Sequence, residues 1–377
     1  EMRDRLVRLA DLNSGSLNLA GLALVRDALR TEVAGLPARV EEAPVRPGVS
    51  ALVARARPEA PLRVLLCGHY DTVFGPDDPF QRTTLLDPST LKGPGVVDMK
   101  GGIVVMLSAL EALEASPWAG GLGWEVLLVP DEELGSPGSA PLIEQAARRS
   151  AVGLVFEPGL PNGDVVRNRL GSGAFRIVAR GRAAHSGRDF EGGRNAVVAL
   201  ARVAAAAHAL NDGGDRVIVN GARLAGGGPV NVVPDRAEVE IGVRAASAAG
   251  ADRVVARLRE IADAAAQEHG VAIEVEGRFH RPPRVVDDRW DALFDAYHRS
   301  AADLGQEVGW VDAGGSSDAN LLTAAGLPTL DGLGPRGAGM HSPEESCLLD
   351  SLPQRAAAAA LFLMRLAAGT VPVPAAR

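Results

Sequence analysis

Three short stretches of this 377-residue chain, 62–67, 126–129 and 152–156, are apolar at nearly every position and lack the in–out alternation of a half-wet strand. That texture belongs to strands buried on both faces, whose alternate side chains all need apolar neighbours. Helical patterns at 101–114 and 141–149 separate the three runs. The strand–helix–strand rhythm predicts an α/β fold, a mostly parallel sheet covered by helices.

Beyond residue 170 the pattern changes. Residues 174–179 and 236–244 alternate as one-sided strands, 194–210 and 251–269 read as helices, and 271–275 as a closing strand. This predicts a small α+β layer of ferredoxin-like type inserted into the first domain. Pro282-Pro283 marks the return, so the expected division is 1–170 with 284–377, and 171–283. The Pro-rich end, 369–377, is expected to fray.

Composition narrows the function. With 46% hydrophobic and 23% charged residues the chain is globular in type. No apolar run approaches the roughly 18–20 residues of a bilayer crossing. A net charge of -8 and no basic tract argue against nucleic acid. Neither a membrane nor a nucleic-acid partner is expected. Cys67 and Cys347 read as buried free thiols. The start is amphipathic (Leu6, Leu9, Leu12) rather than signal-like, so the expected location is cytoplasmic. Because residue 1 is Glu, a leader removed before this numbering stays open, and with it a periplasmic or secreted location.

The polar motifs fall where the buried runs end. The first run leads into Gly68-His69-Tyr70-Asp71, the second into Pro130-Asp131-Glu132-Glu133, the third into Glu157-Pro158. In an open α/β sheet, sites form outside the carboxyl ends of the strands, so the three motifs converge on one crevice. A Gly/Pro-rich loop delivers Asp98 just before a helix, and another flexible loop, 337–342, presents His341. Singly, an Asp caps a turn and a His at a strand end is structural. Together they supply imidazole nitrogen and carboxylate oxygen, the donors zinc takes, so His69, Asp98, Glu133, Glu157 and His341 are the expected metal ligands. Three carboxylate charges are balanced by two divalent ions with one hydroxide, whereas a single ion leaves the crevice too negative. The expected cofactor is two Zn2+, with Co2+ or Mn2+ as alternatives. In His69-x-Asp71 the two-residue spacing puts both side chains on one side, where Asp71 can orient the imidazole. Neighbours in an extended segment point apart, which separates Glu133, as ligand, from Glu132, as the proton shuttle.

Eight motifs in order, GHYDTV (68–73), GPGVVDMKGG (93–102), PDEELGS (130–136), FEP (156–158), RAAHSG (182–187), GGPVNVVP (227–234), GGSSDAN (314–320) and GMHS (339–342), resemble the M20 metallopeptidases, in particular their glutamate carboxypeptidase branch. The resemblance covers nearly the whole chain. It implies Asp98 as a bridge between one zinc held by His69 and Glu157 and another held by Glu133 and His341. It implies Glu132 as general base, with Asp71 orienting His69. It implies that the inserted layer is a lid and dimerisation domain, with His185 and Asn231 reaching across a homodimer to polarise the scissile carbonyl. Arg244 and Arg281 match lid positions where relatives bind the substrate carboxylate. The loop Gly314-Gly315-Ser316-Ser317-Asp318 departs from relatives that carry an extra Gly, which bears on the substrate side pocket.

The leading expectation is zinc-dependent hydrolysis of an amide bond in an N-acyl amino acid or small peptide, including release of a C-terminal glutamate. The alternatives are a desuccinylase or deacetylase of a biosynthetic intermediate and, in another class, an inactive metal-binding dimerisation module. A serine hydrolase lacks its G-x-S-x-G elbow, and no G-x-G-x-x-G turn follows the first strand to hold a nicotinamide cofactor.

Overall fold

The computed structural model describes residues 1–212 and 216–374; the last three positions of the stretch expected to fray lie outside them. It divides into two compact units. The first is Glu1–Asn168 with Val286–Ala313 and Ser317–Arg377, the second Arg169–Val285 with Gly314–Ser316. The sequence reading left Gly314–Ser316 with the first domain. In the second unit Arg169 Nη1 donates to the Gly315 carbonyl at 3.3 Å and Arg244 Nη1 to Ser316 Oγ at 3.2 Å, which ties the segment there.

The first unit is built on an eight-stranded sheet in the order Arg39–Arg46, Val49–Ala56, Gly123–Val129, Arg63–His69, Val152–Val155, Thr329–Asp331, Val165–Arg169, Trp310–Ala313. The four central strands, from Gly123–Val129 to Thr329–Asp331, run parallel, and antiparallel strands flank them. The apolar runs are explained by two cores, one on each face. Val64, Leu66, Val126 and Leu128 point into a cluster with helices Lys100–Glu114 and Ser351–Ala367. Leu65, Cys67, Leu127 and Val129 point the other way, against Ile143 and Ala146 of helix Ala140–Arg149 and Leu322 of helix Asp318–Ala324. Each fully buried Leu or Val there is worth roughly 1.5–3 kcal/mol, so an unpaired polar residue at these positions is disfavoured.

Helix Lys100–Glu114 begins against the end of the third buried strand. A Cβ on Gly102 would lie 1.9 Å from the Phe156 carbonyl oxygen, so only glycine lets the helix approach the strand that delivers Glu157. A small antiparallel sheet of Gly337–Ala338, Ser346–Leu348, Thr90–Lys92 and Thr84–Asp87 completes this unit. Its strands are two to four residues long, too short to leave a periodic signal.

The second unit is a four-stranded sheet, Ile218–Gly226, Arg236–Ala245, Gly171–Arg180, Ala272–Arg281, antiparallel throughout. Helices Ala196–His208 and Ala248–His269 cover one face around Leu200, Val203, Val254 and Leu258. The chain order is β-α-β-β-α-β, the ferredoxin-like arrangement. The edge strand Ile218–Gly226 escapes sequence reading because most of its residues are exposed and a bulge at Gly221/Arg223 breaks its period. Among the described residues no helix is long and apolar enough to cross a membrane.

Candidate metal centre

His69 ends the strand Arg63–His69, and Glu157 follows the parallel neighbour Val152–Val155 by two positions. Glu132 and Glu133 come three and four residues after Gly123–Val129. They do not lie in an extended segment, as the sequence reading assumed, but in a 3-10 turn, Glu132–Leu134, closed by Gly135 at φ 87°. The turn is favoured because its amides have an acceptor: Asp71 Oδ1 takes the Glu132 N–H at 3.2 Å and Asp71 Oδ2 the Glu133 N–H at 3.3 Å.

These elements bring the five expected ligands together within the first unit. Asp98 Oδ1 lies 3.2 Å from His69 Nε2, and Asp98 Oδ2 3.3 Å from His341 Nε2. Glu157 Oε1 is 3.9 Å from His69 Nε2, and Glu133 Oε2 is 3.2 Å from His341 Nε2. Asp98 thus faces one imidazole with each oxygen, and a further carboxylate stands beside each imidazole. Ligand atoms of His69, Asp98 and Glu133 all fall within 4.8 Å of one another, a spacing that one cation can span.

The electrostatics fit a cation. Burial works against a charged His69, yet its bonds to Asp71 and Asp98 and the nearby charges of Glu132 and Glu157 hold it well above the usual imidazole range. Asp98 and Glu133 push His341 up to about 11. Burial raises Glu133, whereas Asp98, although buried, is held below the ordinary carboxylate range by its bonds to the two histidines. The two imidazoles are drawn into a cationic role by surplus carboxylate, which is what a donor set made for a metal does when only protons are available.

Asp71 is fully buried and sits behind His69. His69 Nδ1 lies 3.0 Å from the Asp71 carbonyl and 3.3 Å from its carboxylate. Acceptors on that side keep a proton on Nδ1 and leave Nε2, which faces Asp98, as the nitrogen that would bind a cation. Sequence reasoning missed two helpers. Ser16 Oγ donates to Asp71 Oδ2 at 2.7 Å from a loop 55 positions upstream. Buried Glu345 accepts the N–H groups of Gly95, Val97 and Asp98 at 3.0, 3.0 and 3.1 Å. Both serve through hydrogen bonds to distant groups, which leave no local pattern to read.

The second unit holds the other expected residues. His185 and Asn231 are exposed, and main-chain bonds set their loops side by side: Ser186 N–H to the Asn231 carbonyl at 2.9 Å, Val233 N–H to the Ala184 carbonyl at 2.9 Å. Arg281 is buried at the end of its strand, and half-buried Arg244 lies in register with it, the two flanking Ser172 of the strand between them. Burial, and then the positive charge of Arg281, lower Arg244.

Comparison with known proteins places this arrangement in a group. Carboxypeptidase G2 from Pseudomonas sp. (strain RS-16) is 26% identical over 97% of this chain and 89% of its own length. A succinyl-diaminopimelate desuccinylase from Nitrosospira multiformis is 28% identical over 81% of this chain and 83% of that protein. In fold, the chain resembles the M20 family metallo-carboxypeptidase Sso-CP2 from Sulfolobus solfataricus, with a TM-score of 0.78, 17% identity and coverage of 97% and 98% of the two chains. The model of peptidase family M20/M25/M40 matches residues 65–365, a span that takes in all five expected ligands, and the chain accordingly belongs to this family of peptidase-type hydrolases.

Proposed function

We propose that the chain uses a two-metal centre to hydrolyse the amide bond of an N-acyl amino acid or small peptide, releasing an amino acid with a free carboxylate. The observation that carries this reading is the position of Asp98 between His69 and His341, one oxygen toward each. His69, Glu157 and Asp98 would hold one ion, and His341, Glu133 and Asp98 the other. Zinc suits this nitrogen and oxygen donor set, with cobalt or manganese as substitutes. When bound, the cations polarise the scissile carbonyl and acidify water.

The remaining work falls to side chains. Glu132, buried on the same turn as Glu133, takes a proton from the attacking water and passes it to the leaving amine nitrogen as the C–N bond breaks. Asp71 holds the His69 ring and, through the two amides it accepts, the position of the Glu132 turn. The first unit carries the chemistry, and the second acts as lid and dimerisation layer. In a homodimer, His185 and Asn231 from the second copy donate to the oxygen on which negative charge develops. Arg244 and Arg281 receive the substrate carboxylate, for which a guanidinium fork is well shaped. A C-terminal glutamate is one such substrate.

The likeness to a desuccinylase supports a second reading, in which the same centre removes an N-succinyl or N-acetyl group from an amino-acid intermediate. A panel of N-acyl amino acids, N-succinyl amines and dipeptides, incubated with protein loaded with zinc or cobalt and scored for free amine, separates the two. Turnover confined to N-succinyl substrates selects the second reading. No free amine from any member of the panel rejects both in favour of an inactive metal-binding module.

A further inference from the structure

The loop that carries Asp98 and the loop that carries His341 are more than 240 positions apart in the chain, yet one residue grips both. Glu345 is 1% exposed. Its Oε2 accepts the Gly95 N–H at 3.0 Å, and its Oε1 the Val97 and Asp98 N–H groups at 3.0 and 3.1 Å. Its main-chain carbonyl accepts the Gly93 N–H at 3.0 Å. Four amides between residues 93 and 98 are therefore fastened to a single residue, the last of them the amide of Asp98 itself. Three convergent N–H groups form a concave anion site, and a carboxylate fills it with charge-assisted bonds.

The other half of the linkage is short and closed. His341 and Glu345 belong to one hairpin loop, whose base is the pair Ala338 and Ser346. The turn is laced by Ser342 N–H to the Gly339 carbonyl at 3.1 Å, Glu345 N–H to the Ser342 carbonyl at 3.1 Å and Ser342 Oγ to the Gly339 carbonyl at 2.7 Å. His341 itself holds a left-handed backbone, φ 60°, so the loop presents the imidazole in a specified direction. Rigid links thus run from His341 to Glu345 and from Glu345 to Asp98.

We infer that Glu345 is a positioning residue of the metal centre: it presets Asp98 and His341 at the separation at which both engage metal, before any metal arrives. The inference rests on the metal-centre reading above. A centre assembled in advance does not spend cation binding energy on ordering a Gly-rich loop, so loss of the clamp is read as loss of metal affinity.

Two experiments decide the matter. The first needs no variant: in chelator-stripped protein, amide deuterium exchange is followed over residues 93–99. Glu345 as a presetting clamp predicts that these amides exchange at least about a hundredfold more slowly than in an unstructured peptide without metal. Fast exchange that becomes slow only after Co2+ is added overturns it. The second is Co2+ titration followed by visible absorption. Glu345→Gln keeps the shape but turns an NH2 toward backbone donors, and should weaken Co2+ binding about 10–100-fold. Glu125→Gln, which breaks the part-buried pairs of this strand residue with Arg55 and Arg149, should leave the Co2+ spectrum and affinity unchanged. Unaltered Co2+ affinity in Glu345→Gln overturns the inference, and if that variant does not fold the exchange experiment decides alone. Asp98→Asn tests the underlying reading separately. Wild-type Co2+ binding in that variant rejects the centre, whatever the exchange experiment says of the clamp.

Discussion

His69 and His185 are assigned to one reaction, yet their surroundings differ sharply. His69 is 1% exposed and meets polar partners at both ring nitrogens, Asp71 behind it and Asp98 in front. His185 is exposed on a loop, where its Nδ1 accepts the Gly187 N–H at 3.1 Å. The contrast extends to most of their neighbours: Asp71, Asp98, Glu132 and Glu157 are buried, with His341 the exposed member of that set, whereas Asn231 and the adjacent Val230 stand in the open. Residues that must meet within one chain are fixed by that chain. His185 and Asn231, proposed to act in a second copy, are presented outward, and only their loops are fixed, by main-chain bonds.

The contrast can be broken by mutation. The largest effect on turnover is expected for Glu132→Gln, which removes the proton carrier and should lower kcat by about 10²–10⁴ while metal content measured by atomic emission stays at the wild-type level. Parallel loss of metal would show that Glu132 is a ligand instead. His185→Ala, on the exposed side, should lower kcat by about 10²–10³, the range for an oxyanion donor, with Tm and metal content unchanged. A drop in Tm or metal comparable to that of a buried-site variant would erase the distinction between the two regions. Asp71→Asn should act on the buried side through position, weakening zinc affinity by about 10–100-fold with a smaller fall in kcat at saturating zinc. An unchanged zinc affinity would leave Asp71 with the Glu132 turn alone. The second unit offers a sharper version: diluted protein that is strictly monomeric in sedimentation and fully active would remove His185 and Asn231 from any role that needs a second copy.

The strands that carry His69, Glu133 and Glu157 were legible because two cores press on the central sheet and force apolar residues at successive positions. His341 was legible as a residue but not as a position, because what aims it is a set of very short strands around Ser346–Leu348 and Thr90–Lys92. The turn at Glu132 was misread as extended, since what bends it is Asp71, more than sixty residues away. Ser16 and Glu345 were invisible for a related reason. A side chain that accepts from or donates to distant groups gives no periodicity, and nothing in their own sequence neighbourhood distinguishes them from surface residues. The exposed edge strand Ile218–Gly226 shows the opposite limit, since with little to bury it has little pattern to show.

The central claim is that His69, Asp98, Glu133, Glu157 and His341 hold metal on both sides of Asp98. Crystals of active protein grown with cobalt, measured at the cobalt absorption edge, test it directly. The account predicts about two anomalous peaks per chain, one beside His69 and Glu157 and one beside His341 and Glu133, with Asp98 between them. Active crystals with no peak at Asp98, or with cobalt only elsewhere in the molecule, would contradict it.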